Sequence, residues 1–448
     1  MERQVQHRLT PTTIADFERR MASALVEWPT PGLQAAVLVD GDVVWTHAAG
    51  VARFDPTEPL TTEHLHRIGS ITKLFTAHAI LILHDEGKLH IDDPVSKWLP
   101  EFRPSGPTVT LRHILCHGSE IPAEGGRNVW ESGIFPDEAE FRRMIATFQP
   151  VAAPMMHLKY SNAAFSMLGL VVEAAAGGAY EAFVLDRIVR PLGMGATRFH
   201  LTGDAGQPFA QGHFIPPLER RFEPTPHQEL RAYSACGMLL STPTDVLALA
   251  KAQWAPPSLL SPGVAAEARR VHLIDPEVPG WKVGYGLGWR QLRRGERVYI
   301  GHSGSYLGNR CALEISCEDR VAAAVFSTVG GSDAPIELAM DFVDAVRTAQ
   351  ARAAGSLGAD TVPADLRPLL GHYAMHRWYE ATIGYDGRQL VFSSGLDARA
   401  GVPLAPIAPG RLRILAGRAV GEDLVVNERA SDGTVLEFSF GGSRMRRL

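Results

Sequence analysis

Ser70 and Lys73 stand three residues apart in RIGSITKLFTA (67–77), where an amphipathic run begins. On a helix, positions i and i+3 share a face, so the Lys73 amine can reach the Ser70 hydroxyl. Serine becomes a nucleophile when a neighbour takes its proton, and a buried amine with a lowered pKa can do that. Taken alone, the pair equally fits a helix-capping serine followed by a surface lysine, and chance gives roughly 0.3 such spacings in a chain of this make-up. Two later elements change that balance. Asparagine is confined to Asn128, Asn162, Asn309 and Asn427, so the Tyr-x-Asn at Tyr160-Ser161-Asn162 is expected by chance only about 0.1 times. His302-Ser303-Gly304 follows near the end of the first large domain. A His-x-Gly arises about once or twice by chance in a chain with this much His and Gly and adds little by itself. The order and spacing of the three together carry the specificity.

In that order the motifs resemble the penicillin-recognising serine hydrolases. The likeness is to the branch holding class C β-lactamases, D-alanyl-D-alanine carboxypeptidases, D-aminopeptidases and related esterases. It runs over residues 10–350 and includes LRHILCHGSEIP (111–122), YSNAAFSMLG (160–169), RPLGM (190–194), CGMLLSTPTDVLALA (236–250), GYGLGW (284–289) and GHSGSYLGNR (301–310). Class A β-lactamases match less well: their second motif starts with Ser, and no Glu-x-x-Leu-Asn stretch is present. Two departures stand out. His302 occupies the place of the lysine in the family's Lys-Thr-Gly, replacing a permanent cation with a group whose charge depends on its surroundings. That speaks against β-lactams and for peptide, amide or ester substrates. CHGSE (116–120) replaces a stretch close to THTSG and implies an altered shape beside the pocket.

The resemblance implies a two-step acyl transfer. Ser70 attacks a carbonyl, and water or another nucleophile then releases the acyl group. Lys73 and Tyr160 would share the proton work, and the sequence leaves open which is the base for acylation. A phenol of ordinary pKa needs a nearby cation to act as a base, supplied by Lys73 with His302 as a second source. Asn162 would orient Lys73 or the substrate amide. The backbone N–H groups of Ser70, at a helix start, and Ser305, after the His-Ser-Gly strand, would hold the oxyanion. Ser303, Gly304, Trp130 and Arg446 are candidate substrate-binding residues. Trp130 and Phe135 lie in a long loop towards the expected pocket. Arg444, Arg446 and Arg447 would meet a substrate carboxylate only if the C-terminal barrel folds over the site, and a solvated basic tail is the commoner outcome. His64 with His66, and His113 with His117, have zinc-like spacings, but neither pair has a third ligand or a zincin glutamate. No cofactor or metal is expected.

The 448 residues exceed one ordinary domain, and 45% apolar content supports full-sized cores. A net charge of −5 and a pI near 6.4 give no reason to expect nucleic acid. No run of 18 apolar residues appears, so no membrane span is expected. MERQVQHRLTPTTIADFERR lacks an apolar signal segment, and a cytoplasmic enzyme is the expectation. Cys116, Cys236, Cys311 and Cys317 are too few for a disulfide framework and fit small buried hydrophobes.

The periodicity predicts a helix over 11–27 with Ile14, Phe17, Met21 and Leu25 on one face, then a hairpin turning at Asp40-Gly41. The Ser70 helix should end near Glu86, closed by Gly87. Residues 90–250 read as mainly helical, with long loops at 118–138 and 202–232. Strands return at 283–291, 297–303, 308–317 and 321–329, and a helix follows near 334–351. The expected fold class is α+β: an antiparallel sheet flanked by helices with an inserted helical subdomain, plus a small C-terminal antiparallel β-barrel. The domains are a hydrolase domain at 1–352, a linker at 353–368 and a lipocalin-like barrel at 369–448. Its strands are ATIGY, RQLVFSS, RLRILAG, EDLVVNE and TVLEFSF, with turns at Asp386-Gly387 and Asp432-Gly433.

The leading functional reading is a serine hydrolase of small peptide, amide or ester substrates, peptides with D-residues among them. A second is an acyltransferase that passes the acyl group to an amine or alcohol, similar to the penicillin-binding-type thioesterases that cyclise carrier-bound or thioester-activated nonribosomal peptides. A third is a binding or sensor module without catalysis.

Overall fold

GLQAAVLV (32–39) is buried along its whole length, which places it inside a sheet covered on both faces. The computed structural model describes residues 9–125, 129–201, 208–216, 221–226, 228–276, 281–295, 297–353, 363, 365–375, 379–385, 389–394, 402–416 and 420–448. The sheet is built from β1 (Gly32–Val39), β2 (Asp42–Phe54), β3 (Thr57–Pro59), β4 (Leu273–Ile274), β5 (Val283–Tyr285), β6 (Arg290–Arg294), β7 (Arg297–Tyr306), β8 (Asn309–Ser316) and β9 (Val321–Ser327). Their order is β3-β2-β1-β9-β8-β7-β6-β5-β4. The first and last parts of the domain join at β1–β9, with Leu33 opposite Ser327 and Val39 opposite Val321. The β1–β2 hairpin turns at Asp40-Gly41, both with positive φ.

Five helices matter to the site or to the sheet that carries it: α1 (Pro11–Glu27), α2 (Thr72–Asp85), α3 (Asn162–Ala176), α4 (Pro243–Lys251) and α5 (Ala334–Ala353). Strand alternation sends Leu33, Ala35, Val37 and Val39 into one core, where Phe17 and Met21 of α1 meet Phe342 of α5. Ala36 and Leu38 face the opposite core, filled by α2, α3 and α4. On α1, Phe17 and Met21 are buried, while Ile14 and Leu25 pack partly buried against that core. The Thr10 side chain caps α1 by accepting from the Thr13 amide, and Pro11 opens its first turn.

The sequence predicts one strand over 283–291, but the structure divides it into β5 and β6. A side chain on Gly286 would run into the Ala268 carbonyl, and Gly288 has φ +84° with Ala77 close behind it. The strand must therefore break at GYGLGW, where only glycine fits.

The chain forms two compact units: Met1–Arg293 with Arg297–Arg347, and Thr348–Leu448 with 294–296. The second contains a closed barrel of eight antiparallel strands, β10 (Gly371–Met375), β11 (Tyr379–Tyr385), β12 (Leu390–Ser394), β13 (Val402–Ala408), β14 (Arg411–Ile414), β15 (Asp423–Arg429), β16 (Val435–Phe440) and β17 (Ser443–Arg447). Tyr373, Phe392, Leu424, Phe438 and Met445 fill it. Most of the expected linker and the Asp386-Gly387 turn lie outside the described residues.

Candidate active site

Ser70 sits in a single 3-10 turn, Gly69–Ile71, that runs directly into α2. The turn is held from two sides. Below it, the Ile68 amide donates to Leu239 O, and the Leu239 amide donates to Thr72 Oγ1 at 3.2 Å. Above it passes β7. Gly69 has φ +51°, and a Cβ there would lie 2.7 Å from Ser305 N. A Cβ on Gly304 would fall on the Ile68 carbonyl and 2.9 Å from Ser70 N. The nucleophile turn and the His-Ser-Gly strand therefore touch backbone to backbone. This is the physical content of the glycine in His302-Ser303-Gly304, and it brings the amides of Ser70 and Ser305 to the same place.

Lys73, one helical turn on from Ser70, is fully buried. Its Nζ lies 3.1 Å from Ser70 Oγ and donates to Asn162 Oδ1 at 2.7 Å and to Cys236 O at 2.8 Å. Burial draws the Lys73 ammonium down to about 8, while Cys236 and Glu124 pull the other way. Asn162 is the first residue of α3, whose N-cap is Ser161. Tyr160 just precedes the cap; its hydroxyl hydrogen-bonds with Ser70, and burial pushes the phenol far above its ordinary value. The Lys73 ammonium stands 4.8 Å from the Tyr160 ring centroid.

His302 is buried, with Nδ1 placed 2.6 Å from the Ser303 carbonyl. Burial, then the Arg290 and Lys73 cations, holds its pKa well below the usual imidazole range. The ring is neutral, so the expectation that it lends charge to Tyr160 is corrected. The fixed cation beside the strand is Arg290, which donates to Ser303 Oγ at 3.0 Å and pairs with buried Glu314. Trp130 lies on a short helical turn and is edge-on to Tyr306 at 6.0 Å. Phe135 is buried among core aromatics with Tyr233, so it lines no groove. Arg446 belongs to the barrel, where it pairs with Glu437 at 3.0 Å; Arg444 reaches the same carboxylate and Arg447 donates to Leu370 O.

The zinc-like histidines have other occupations. His64 contacts Glu58, and His113 completes a capping box with Thr110. His117 stacks on Tyr160 with centroids 4.2 Å apart and stands edge-on to Tyr285 at 4.7 Å. Among the described residues no group of three His, Cys, Asp or Glu converges as a metal site. Cys116, Cys236 and Cys311 are buried free thiols. Sequence reasoning missed Glu124, Arg290, the Cys236 carbonyl and the stacking of His117, all of which act through tertiary contacts that no local pattern encodes.

A helix-flanked antiparallel sheet with a serine, lysine and tyrosine gathered at one helix start is an architecture of serine hydrolases. Residues 17–344 match the Beta-lactamase family, and the chain belongs to it. It is 32% identical over 299 residues to esterase EstB of Burkholderia gladioli, covering 58% of this chain and 76% of that protein. It is 27% identical over 398 residues to penicillin-binding protein 4 of Amycolatopsis lactamdurans, covering 81% and 98%. The octameric penicillin-binding protein homologue from Pyrococcus abyssi superposes with TM-score 0.66 at 25% identity, over 96% of this chain and 99% of that one.

Proposed function

We propose that the chain hydrolyses ester or amide bonds of small substrates through an acyl-enzyme on Ser70, with Lys73 as the base that takes the Ser70 proton. The observation that carries this is the setting of Lys73 Nζ between three oxygens: Asn162 Oδ1, Cys236 O and Ser70 Oγ. A neutral amine has two N–H donors and one lone pair. Asn162 and Cys236 accept the two donors, which leaves the lone pair for the Ser70 hydroxyl proton. Tyr160, kept protonated by burial, donates rather than accepts at neutral pH; it passes its proton to the leaving group as Lys73 returns the Ser70 proton to the phenol oxygen, so neither group is left changed. The amides of Ser70 and Ser305 receive the developing oxyanion.

The neutral His302 supports the choice of substrate. It offers hydrogen bonds but no charge to a substrate carboxylate, and the nearby Arg290 is already paired with Glu314. Neutral esters and amides fit this wall better than carboxylate-bearing β-lactams. The likeness to an esterase, EstB, points the same way. A fluorophosphonate probe is expected to label the wild type and not Ser70→Ala, with p-nitrophenyl esters and D- and L-aminoacyl anilides turned over faster than nitrocefin. Labelling that persists in Ser70→Ala removes Ser70 from its role. Peptidyl thioesters separate the two exits of the acyl-enzyme: a linear acid marks hydrolysis, a cyclic product marks transfer.

A further inference from the structure

The loop before Trp130 is fastened to the start of α3 residue by residue. Ser161 Oγ donates to Pro122 O at 3.0 Å, and the Ala163 amide donates to Ala123 O at 3.0 Å. Between them, Asn162 Nδ2 donates to Glu124 Oε1 at 2.7 Å. The Tyr233 hydroxyl holds the Glu124 carbonyl at 3.3 Å. The Glu124 carboxylate is thus fixed on the far side of the amide that holds Lys73. We propose that Glu124 is a positioning residue, which fixes Asn162 with its oxygen towards Lys73 and, through that amide, sets the pH at which Lys73 becomes the base.

Two physical facts carry this inference. A side-chain amide has one accepting and one donating end, and either could face Lys73. An ionised carboxylate only accepts, so beside Glu124 the amide can present only its Nδ2, and Oδ1 must face Lys73. The reversed amide would set donor against donor at Lys73 and oxygen against oxygen at Glu124. The second fact is charge. The carboxylate and the ammonium lie at the two ends of one amide, and each favours the ionised form of the other. Burial holds the Glu124 pKa above the ordinary carboxylate value, and hydrogen bonds from Asn162 and Trp130 together with the Lys73 charge offset only part of that rise.

Among the described residues, the other titratable groups facing Lys73 are the Tyr160 phenol, the Cys236 thiol and the imidazoles of His117 and His302. Both imidazoles are held neutral. The Tyr160 and Cys236 groups are pushed up by burial and stay protonated. Cys236 also draws the Lys73 pKa upward, and Glu124 is the carboxylate that does so through the Asn162 amide.

This inference rests on Ser70 and Lys73 being nucleophile and base, and the test separates the two. The rate of fluorophosphonate labelling is followed from acid to alkaline pH in the wild type, Glu124→Gln and Glu124→Ala, with circular dichroism to confirm folding. Glutamine keeps an acceptor for Asn162 and loses the charge. Its rising limb is expected to move to lower pH by about one unit with the alkaline plateau retained. Alanine loses both, so its limb moves likewise and its plateau falls about tenfold. If the wild type is not labelled at all, the acyl-enzyme reading fails. If the wild type is labelled and both folded variants keep its limb and plateau, Glu124 has no such role. A lower plateau with an unmoved limb in both variants also overturns the proposal, since it marks a merely structural contact.

Discussion

Burial acts on Lys73 and Tyr160 in opposite senses, with one consequence for the chemistry. It draws the Lys73 ammonium down to about 8 and pushes the Tyr160 phenol up. Both shifts favour the uncharged form. At neutral pH a minor but sizeable share of Lys73 is the free amine, whereas phenolate is scarce. The sign for activity follows: if the amine accepts the Ser70 proton, acylation is slow below pH 8 and rises as pH climbs through that value. From pH 7 to the alkaline plateau the gain is about tenfold. Lys73→Arg keeps a cation but cannot lose its proton in this range. It is expected to abolish the limb and lower the acylation rate by a factor of about 100 to 10,000. Labelling rates against pH check both, and a wild-type limb centred near pH 6 would point to a base other than Lys73.

At the scale of elements, the site is a junction of three chain segments, each closing on the others through small residues or exposed backbone. Gly304 is the tightest of these. Gly304→Ala would drive its Cβ into the Ile68 carbonyl, so β7 must move off the nucleophile turn, or the turn must shift. Either movement separates the Ser70 and Ser305 amides. The expected result is a loss of about 100- to 1,000-fold in turnover, the usual cost of one oxyanion donor, with a lower Tm by thermal unfolding. Retained activity would mean that the two amides do not act together. The same contact explains what was legible beforehand. Ser70, Lys73, Tyr160 and Asn162 could be singled out because Ser-x-x-Lys and the rare Tyr-x-Asn are local spacings, and their order along the chain resembles the family's motifs. Helix α1 and the Asp40-Gly41 hairpin were likewise readable from local patterns. Glu124 was not, because its role depends on a Pro- and Gly-rich loop meeting α3, and a lone glutamate in such a loop looks like solvated surface. Arg290 was hidden by the break at Gly286–Gly288, which reads as one continuous strand until the crowding by Ala268 and Ala77 is seen. In the barrel, VPLAPIA (402–408) forms β13 despite two prolines that argue against a strand.

At the scale of the molecule, the sequence separates two kinds of apolar pattern, and the structure gives each its own core. The hydrolase unit buries aliphatic and aromatic residues on both faces of its sheet. The barrel fills its interior with side chains from its own strands and a few from the approach to β10, among them Leu369. Two cores that share no residue have separate cooperative units available to them. Phe438 tests this. It is buried, meets Tyr373 edge-on at 4.8 Å and lies 6.3 Å from Phe392. Phe438→Ala opens a cavity among these rings and is expected to remove about 3–5 kcal/mol from the barrel. Calorimetry should then resolve a barrel transition shifted to lower temperature, with the hydrolase transition unmoved. Fluorophosphonate labelling of Ser70, measured between the two transitions, should persist, because every side chain proposed for acylation lies in the first unit. If labelling disappears together with the barrel, the barrel supports the acylation site directly, and the independence of the two cores is refuted.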